Sequence, residues 1–161
     1  MRSGAAKAKM ILRKYWDGKV PVDPTAIAER LYVKVIADSE LVWEGLSGKF
    51  AYEDNQPVIR YNPHEPPNRQ RFTIAHEIGH FVLGHNGVYR DPKQFFSIAH
   101  YDPKEAACNK FAAELLMPEE AIKLFIVTLG IDDIESLARH FQVSEVAMKY
   151  RLENLGWIPP T

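Results

Sequence analysis

The sequence predicts an α+β fold, mainly helical, with a small three-stranded sheet and a helical C-terminal segment. Three observations predict it. Stretches with strand-like composition are confined to residues 32–61. Residues 68–84 carry Phe72, Ala75, Ile78, Gly79, Val82 and Leu83 at helical spacing. From Asp102 onward the chain is punctuated by helix-start signals, at Asp102-Pro103, Pro118, Asp132 or Asp133, and Ser144. A chain of 161 residues and 18.4 kDa makes one domain with at most a small appendage. The expected division is residues 1–130 and a helix-turn-helix-like appendage over residues 131–161.

Element by element, residues 5–16 read as a first helix, with Met10, Ile11, Tyr15 and Trp16 suggesting its buried stripe. Asp23 caps a second helix, and Pro24 takes its first position. Residues 32–36 read as a strand. Residues 48–53 and 57–61 read as a hairpin about Asp54-Asn55-Gln56, with alternation suited to a half-buried sheet. Residues 62–67 form a proline-rich connector, and Asn68 is the expected N-cap of the helix over residues 68–84, with Gly84 at its C′ position. Residues 86–101 are the least regular part and read as a loop or lid.

The bulk numbers narrow the function. A composition of 46% hydrophobic and 25% charged residues is that of an ordinary globular protein. A formal net charge of −1 carries no electrostatic signature for nucleic acid or an anionic membrane. A single cysteine, Cys108, excludes an internal disulfide and fits a reducing compartment. The basic N-terminus is followed by no signal-like apolar core, and no run approaches the roughly 18 apolar residues of a membrane span. The expected location is cytoplasmic.

The chemistry concentrates in His76-Glu77-Ile78-Gly79-His80. Histidines four apart lie one turn apart on one helix face, so both imidazoles can reach one cation. Glu77 projects about 100° round from His76 and can stand beside the ion without binding it. Two neutral nitrogen ligands and a separate carboxylate base are what a hydrolytic zinc site needs. Gly79 costs about 1 kcal/mol against alanine in a helix, which makes sense where another backbone approaches closely.

A catalytic zinc wants a third protein ligand. Glu105 is the leading candidate, sharing a helix face with Asn109, which could orient a ligand. Alanines 106, 107, 112 and 113 keep that helix thin enough for close approach. Glu105 also sits at the capping-box position relative to Asp102, and Glu114 and Cys108 are rivals. His64, His85 and His100 read as surface residues. Asn86 stands where the elongated pattern H-E-x-x-H-x-x-G-x-x-H would place its third histidine. His100 and Tyr101, just before the Glu105 helix, could donate to a developing oxyanion.

Taken together, Val20-Pro-Val-Asp-Pro, His76-Glu-Ile-Gly-His80 and Glu105-Ala-Ala-Cys-Asn-Lys-Phe-Ala-Ala-Glu-Leu-Leu-Met-Pro118 resemble the ImmA/IrrE family of zinc metallopeptidases. The resemblance implies a zincin-like (thermolysin-like) minimal peptidase unit holding Zn²⁺. It implies His76, His80 and Glu105 as ligands and Glu77 as general base. It also implies cleavage of a regulatory partner, commonly a helix-turn-helix repressor, with release of mobile-element or stress-response genes. Asn109 falls where thermolysin-like enzymes often carry an acid supporting a ligand histidine, and an amide is a weaker anion mimic.

Residues 134–155 resemble a helix-turn-helix, yet the second helix sets Glu145 and Glu153 against Lys149 and Arg151. That zero balance cannot neutralise many phosphates, so direct DNA binding is disfavoured. The rival readings are a DNA-binding regulator with a structural or vestigial metal site, and a toxin–antitoxin-type interaction protein without turnover.

Overall fold

A computed structural model of the chain describes residues 3–92 and 102–161. The elements are α1 (Gly4–Tyr15), α2 (Pro24–Arg30), β1 (Lys34–Ala37), α3 (Leu41–Glu44), β2 (Gly48–Glu53), β3 (Gln56–Tyr61), α4 (Pro67–Val82), β4 (Tyr89–Asp91), α5 (Pro103–Leu116), α6 (Glu119–Lys123), α7 (Ile134–Phe141) and α8 (Glu145–Asn154). A π-helical turn, Leu124–Thr128, continues α6.

The fold is α+β, as expected, but the sheet has four strands, not three, in the order β1-β3-β2-β4. The extra strand, β4, lies inside the stretch read as a loop. It is three residues long and bounded by Gly87 and Pro92, too short to show alternation. β1 runs parallel to β3, while β2 is antiparallel to both β3 and β4. Gly48 of β2 is registered opposite Asp91 of β4.

α4 lies across β2 and β3 on one side and against α5 on the other, and α1 covers the outer side of α5. Phe50 and Ile59 from the sheet, Ile78 from α4 and Phe111 and Leu115 from α5 are fully buried at these contacts. Each contributes about 1.5–3 kcal/mol through removal from water. Gly79 sits where α4 meets α5: a Cβ there would stand 3.2 Å from Cys108 Cα and 3.3 Å from Phe111 Cδ1. The close backbone approach expected from that glycine is present.

Caps account for most helix boundaries. Side chains of Asp23, Asp102, Asp133 and Ser144 each accept from a backbone N–H in the first turn of α2, α5, α7 and α8. Asn68 does not cap α4. The helix begins at Pro67 with Pro66 at the N-cap, because proline needs no donor partner in the first turn. In α1 the buried face is Gly4, Ala8 and Leu12, at a spacing of four, and Met10 points outward at 41% exposure. Small residues win that face because α5 is close: a Cβ on Gly4 would run into the Ala107 carbonyl oxygen.

The C-terminal helices share the main core. Leu137, Ala138, Phe141, Met148 and Leu152 belong to the same buried cluster as α4 and α5. Arg151 of α8 is buried, with its guanidinium 2.7 Å from the Glu114 carboxylate of α5 and its Nε donating to the Met117 carbonyl.

Candidate metal centre

Both histidines of the motif are fully buried on the α4 face that meets α5 and β4. α5 brings Glu105 to them. Its Oε2 lies 2.8 Å from His76 Nε2, and its Oε1 lies 3.1 Å from His80 Nε2. Only half of the possible capping box forms: Asp102 Oδ1 accepts from the Glu105 N–H, while the Glu105 carboxylate turns inward to the imidazoles.

The far nitrogens of both rings are occupied. Asn109 Oδ1 lies 2.8 Å from His76 Nδ1 and accepts its proton, which makes Nε2 the nitrogen that can turn a lone pair to a cation once its own proton leaves. His80 Nδ1 lies 2.9 Å from His85 Nδ1. Burial, with the positive field of His80 and Lys104, lowers the His85 pKa, so His85 is neutral and able to accept. His85 is therefore half-buried against His80, not a surface residue. Gly84, at φ 75°, turns the chain back past the end of α4, and the His85 N–H donates to the His80 carbonyl.

Glu77 is fully buried, and neither of its oxygens meets a hydrogen-bond partner among the described residues. Its Oε1 stands 3.9 Å from His80 Nε2. Burial, reinforced by the negative charges of Asp91 and Glu105, raises its pKa well above the usual carboxylate range. The close passage of β2 confines it, because a Cβ on Gly48 would lie 2.7 Å from Glu77 Oε2.

Sequence reasoning missed Asp91. This fully buried residue of β4 places Oδ2 3.2 Å from His80 Nε2 and 3.5 Å from His76 Nε2. Ligand atoms of His76, His80, Asp91 and Glu105 all lie within 4.8 Å of one another. No spacing signal marks Asp91, because only the pairing of β4 with β2 carries it to the histidines. Tyr89, two residues earlier, stacks on His80 with centroids 4.1 Å apart.

The other candidates go elsewhere. Glu114 is held by Arg151. Cys108 Sγ lies 3.7 Å from His85 Nδ1 and within reach of both motif histidines, but burial and the nearby Glu105 raise its thiol pKa and keep it protonated. His64 is exposed beside Ser39. His100 and Tyr101 lie outside the described residues.

Three buried carboxylates face two imidazoles, and Glu77 and Asp91 Oδ1 lack hydrogen-bond partners among the described residues, as acceptor groups gathered around a cation do. A divalent cation fits this donor set of two ring nitrogens and carboxylate oxygens.

Residues 28–153 match the peptidase M78 family, described as the IrrE N-terminal-like domain, and the chain belongs to that family. Among its relatives are two proteins called radiation response metalloprotease IrrE. The one from Deinococcus radiodurans is 33% identical over 113 residues, covering 68% of this chain and 34% of the relative. The one from Deinococcus deserti is 36% identical over 106 residues, covering 63% and 38% respectively. The chain thus spans little more than a third of the length of these relatives. Its fold is similar to that of a Mycobacterium tuberculosis transcriptional regulator, with a TM-score of 0.62 at 19% identity over 93% of this chain and 46% of that one.

Proposed function

We propose that the chain is a zinc-dependent endopeptidase that cleaves a regulatory protein partner, with His76, His80 and Glu105 holding the ion and Glu77 serving as general base. The observation that carries this reading is the convergence of Glu105, from a separate helix, on the Nε2 atoms of both motif histidines. Membership of a metallopeptidase family supports it independently.

A bound Zn²⁺ supplies Lewis acidity, lowering the pKa of water and polarising a carbonyl. The side chains do the rest. Asn109 and His85 fix the ring orientation and tautomer of His76 and His80. Glu77, raised in pKa by burial and by the neighbouring Asp91, accepts the proton of the attacking water and passes it to the leaving amine. The substrate backbone lies along β4. β3 cannot serve in this way, because it is flanked by β1 and β2. β4 pairs only with β2 among the described strands and is suited to strand addition. A cavity of about 530 Å³ with Asp91 and Glu105 in its wall adjoins that edge.

The substrate is a helix-turn-helix repressor, and its cleavage releases mobile-element or stress-response genes. α8 offers little for DNA, since Arg151 is buried in its ion pair with Glu114 and leaves Lys149 as the cation on a helix bearing Glu145 and Glu153. The test is co-expression with a repressor-like protein encoded beside this chain. Cleavage that a chelator abolishes and that the Glu77→Gln variant lacks is the expected result. An intact partner under zinc-replete conditions would overturn the substrate assignment.

A further inference from the structure

We infer that Asp91 is a fourth protein ligand to the metal, filling the corner that a three-ligand hydrolytic site leaves to water, so that the resting site is closed and opens by release of one aspartate on a short edge strand. The inference rests on the ligand reading of His76, His80 and Glu105 above.

Which nitrogen Asp91 faces decides its role. A carboxylate that merely orients a ligand histidine binds the ring nitrogen remote from the metal. Here those positions are taken, Nδ1 of His76 by Asn109 and Nδ1 of His80 by His85. Asp91 Oδ2 instead approaches Nε2 of both rings, at 3.5 and 3.2 Å. These are the same two atoms that Glu105 Oε2 approaches at 2.8 and 3.2 Å. Four donors about 2.0–2.1 Å from a common centre form a tetrahedron with edges of roughly 3.3–3.4 Å. The observed separations bracket that value.

Asp91 is also unlike an ordinary surface acid. It is fully buried, and its second oxygen, Oδ1, has no hydrogen-bond partner among the described residues. A carboxylate in that state is costly unless a cation compensates it. The strand that carries it is three residues long and paired on one side to Gly48–Phe50 of β2. Among the described residues its backbone is held by that pairing and by the Ser47 N–H donating to the Asp91 carbonyl, a short attachment that suits a ligand that leaves when a substrate strand engages β4.

The experiment is a zinc titration against a chromophoric chelator, together with acetohydroxamate titration of the Co²⁺-loaded chain followed in the visible spectrum. It compares the wild type with Asp91→Asn, Asp91→Ser and His76→Ala. Both Asp91 variants are expected to bind zinc about tenfold or more weakly. Their cobalt forms are expected to take acetohydroxamate about tenfold or more tightly than the wild type, because a corner has been vacated. Wild-type zinc and hydroxamate affinities in both variants would overturn the inference while His76→Ala still lost the metal. If His76→Ala kept wild-type zinc affinity, the underlying ligand reading would fail, and the role of Asp91 with it.

Discussion

Replacing Glu77 with Gln keeps the shape of the side chain and removes the base. The variant is expected to bind zinc normally and to lose several orders of magnitude in cleavage rate, as metal analysis and a turnover assay can read; normal cleavage would reject the base assignment. Removing an orienting partner acts differently. Asn109→Ala frees the His76 ring and should weaken zinc binding by about 10–100-fold without unfolding the chain. Protons compete for the same nitrogen. In the metal-free chain burial disfavours charge on His76, yet Asp91 and Glu105 outweigh it and push its pKa up to about 9. Below that pH the metal must displace a proton, so zinc affinity should rise with pH through about 7–9 and level off above. A flat profile by chelator competition would contradict His76 as a ligand. At this scale the sequence is most readable where chemistry follows local geometry. His76 and His80 share a face by spacing alone, and Glu105 with Asn109 repeats the rule one helix later. Asp91 and His85 reach the histidines through a strand pairing and a left-handed turn at Gly84, neither of which has a periodic signature.

At the scale of elements, two glycines set the distances on which the site depends. A methyl group on Gly79 presses on the Cys108 backbone and Phe111 of α5. The helix-propensity gain of about 1 kcal/mol for alanine is offset by overpacking that costs about 1–3 kcal/mol. Gly79→Ala should therefore lower stability by no more than about 2 kcal/mol while moving Glu105 away from the histidines, so a loss appears in zinc affinity as well. Unchanged affinity would mean that α5 is not held to α4 at that point. Gly48 plays the matching part between β2 and Glu77. Helix starts were legible because Asp, Ser and Pro carry the capping chemistry in their own side chains and rings. β4 was not, since three residues hold no alternation and its existence depends on a partner strand distant in sequence. The misassigned N-cap at Asn68 has the same kind of cause: two plausible start signals adjoin, and the proline pair prevails.

Across the whole molecule, the C-terminal helices are tied to the metal-bearing pair through a buried charge. Arg151→Met removes the nearer cation of Glu114 and leaves Lys9, 3.9 Å away, next to the N-terminus of α6, where Glu114 Oε2 accepts from the Glu119 N–H. Breaking such a pair by removing one partner costs about 3–5 kcal/mol, and a thermal melt should show a large drop. A shift below about 1 kcal/mol would indicate that α8 is not anchored through Arg151. The same contact explains why charge counting along α8 was only a partial guide: one of its cations is spent inside the protein. No helix among the described residues is long and apolar enough to cross a membrane. The fold class followed from composition and periodicity, whereas the packing of residues 131–161 onto α5 depends on a long-range ion pair that no local pattern announces. The most direct test of the account is anomalous diffraction at the zinc edge from a zinc-loaded crystal. It should reveal one ion about 2.0–2.1 Å from the Nε2 atoms of His76 and His80 and about 2.0–2.2 Å from a Glu105 oxygen. A density map with no ion between the two imidazoles, or with Glu105 more than about 4 Å from it, would contradict the account.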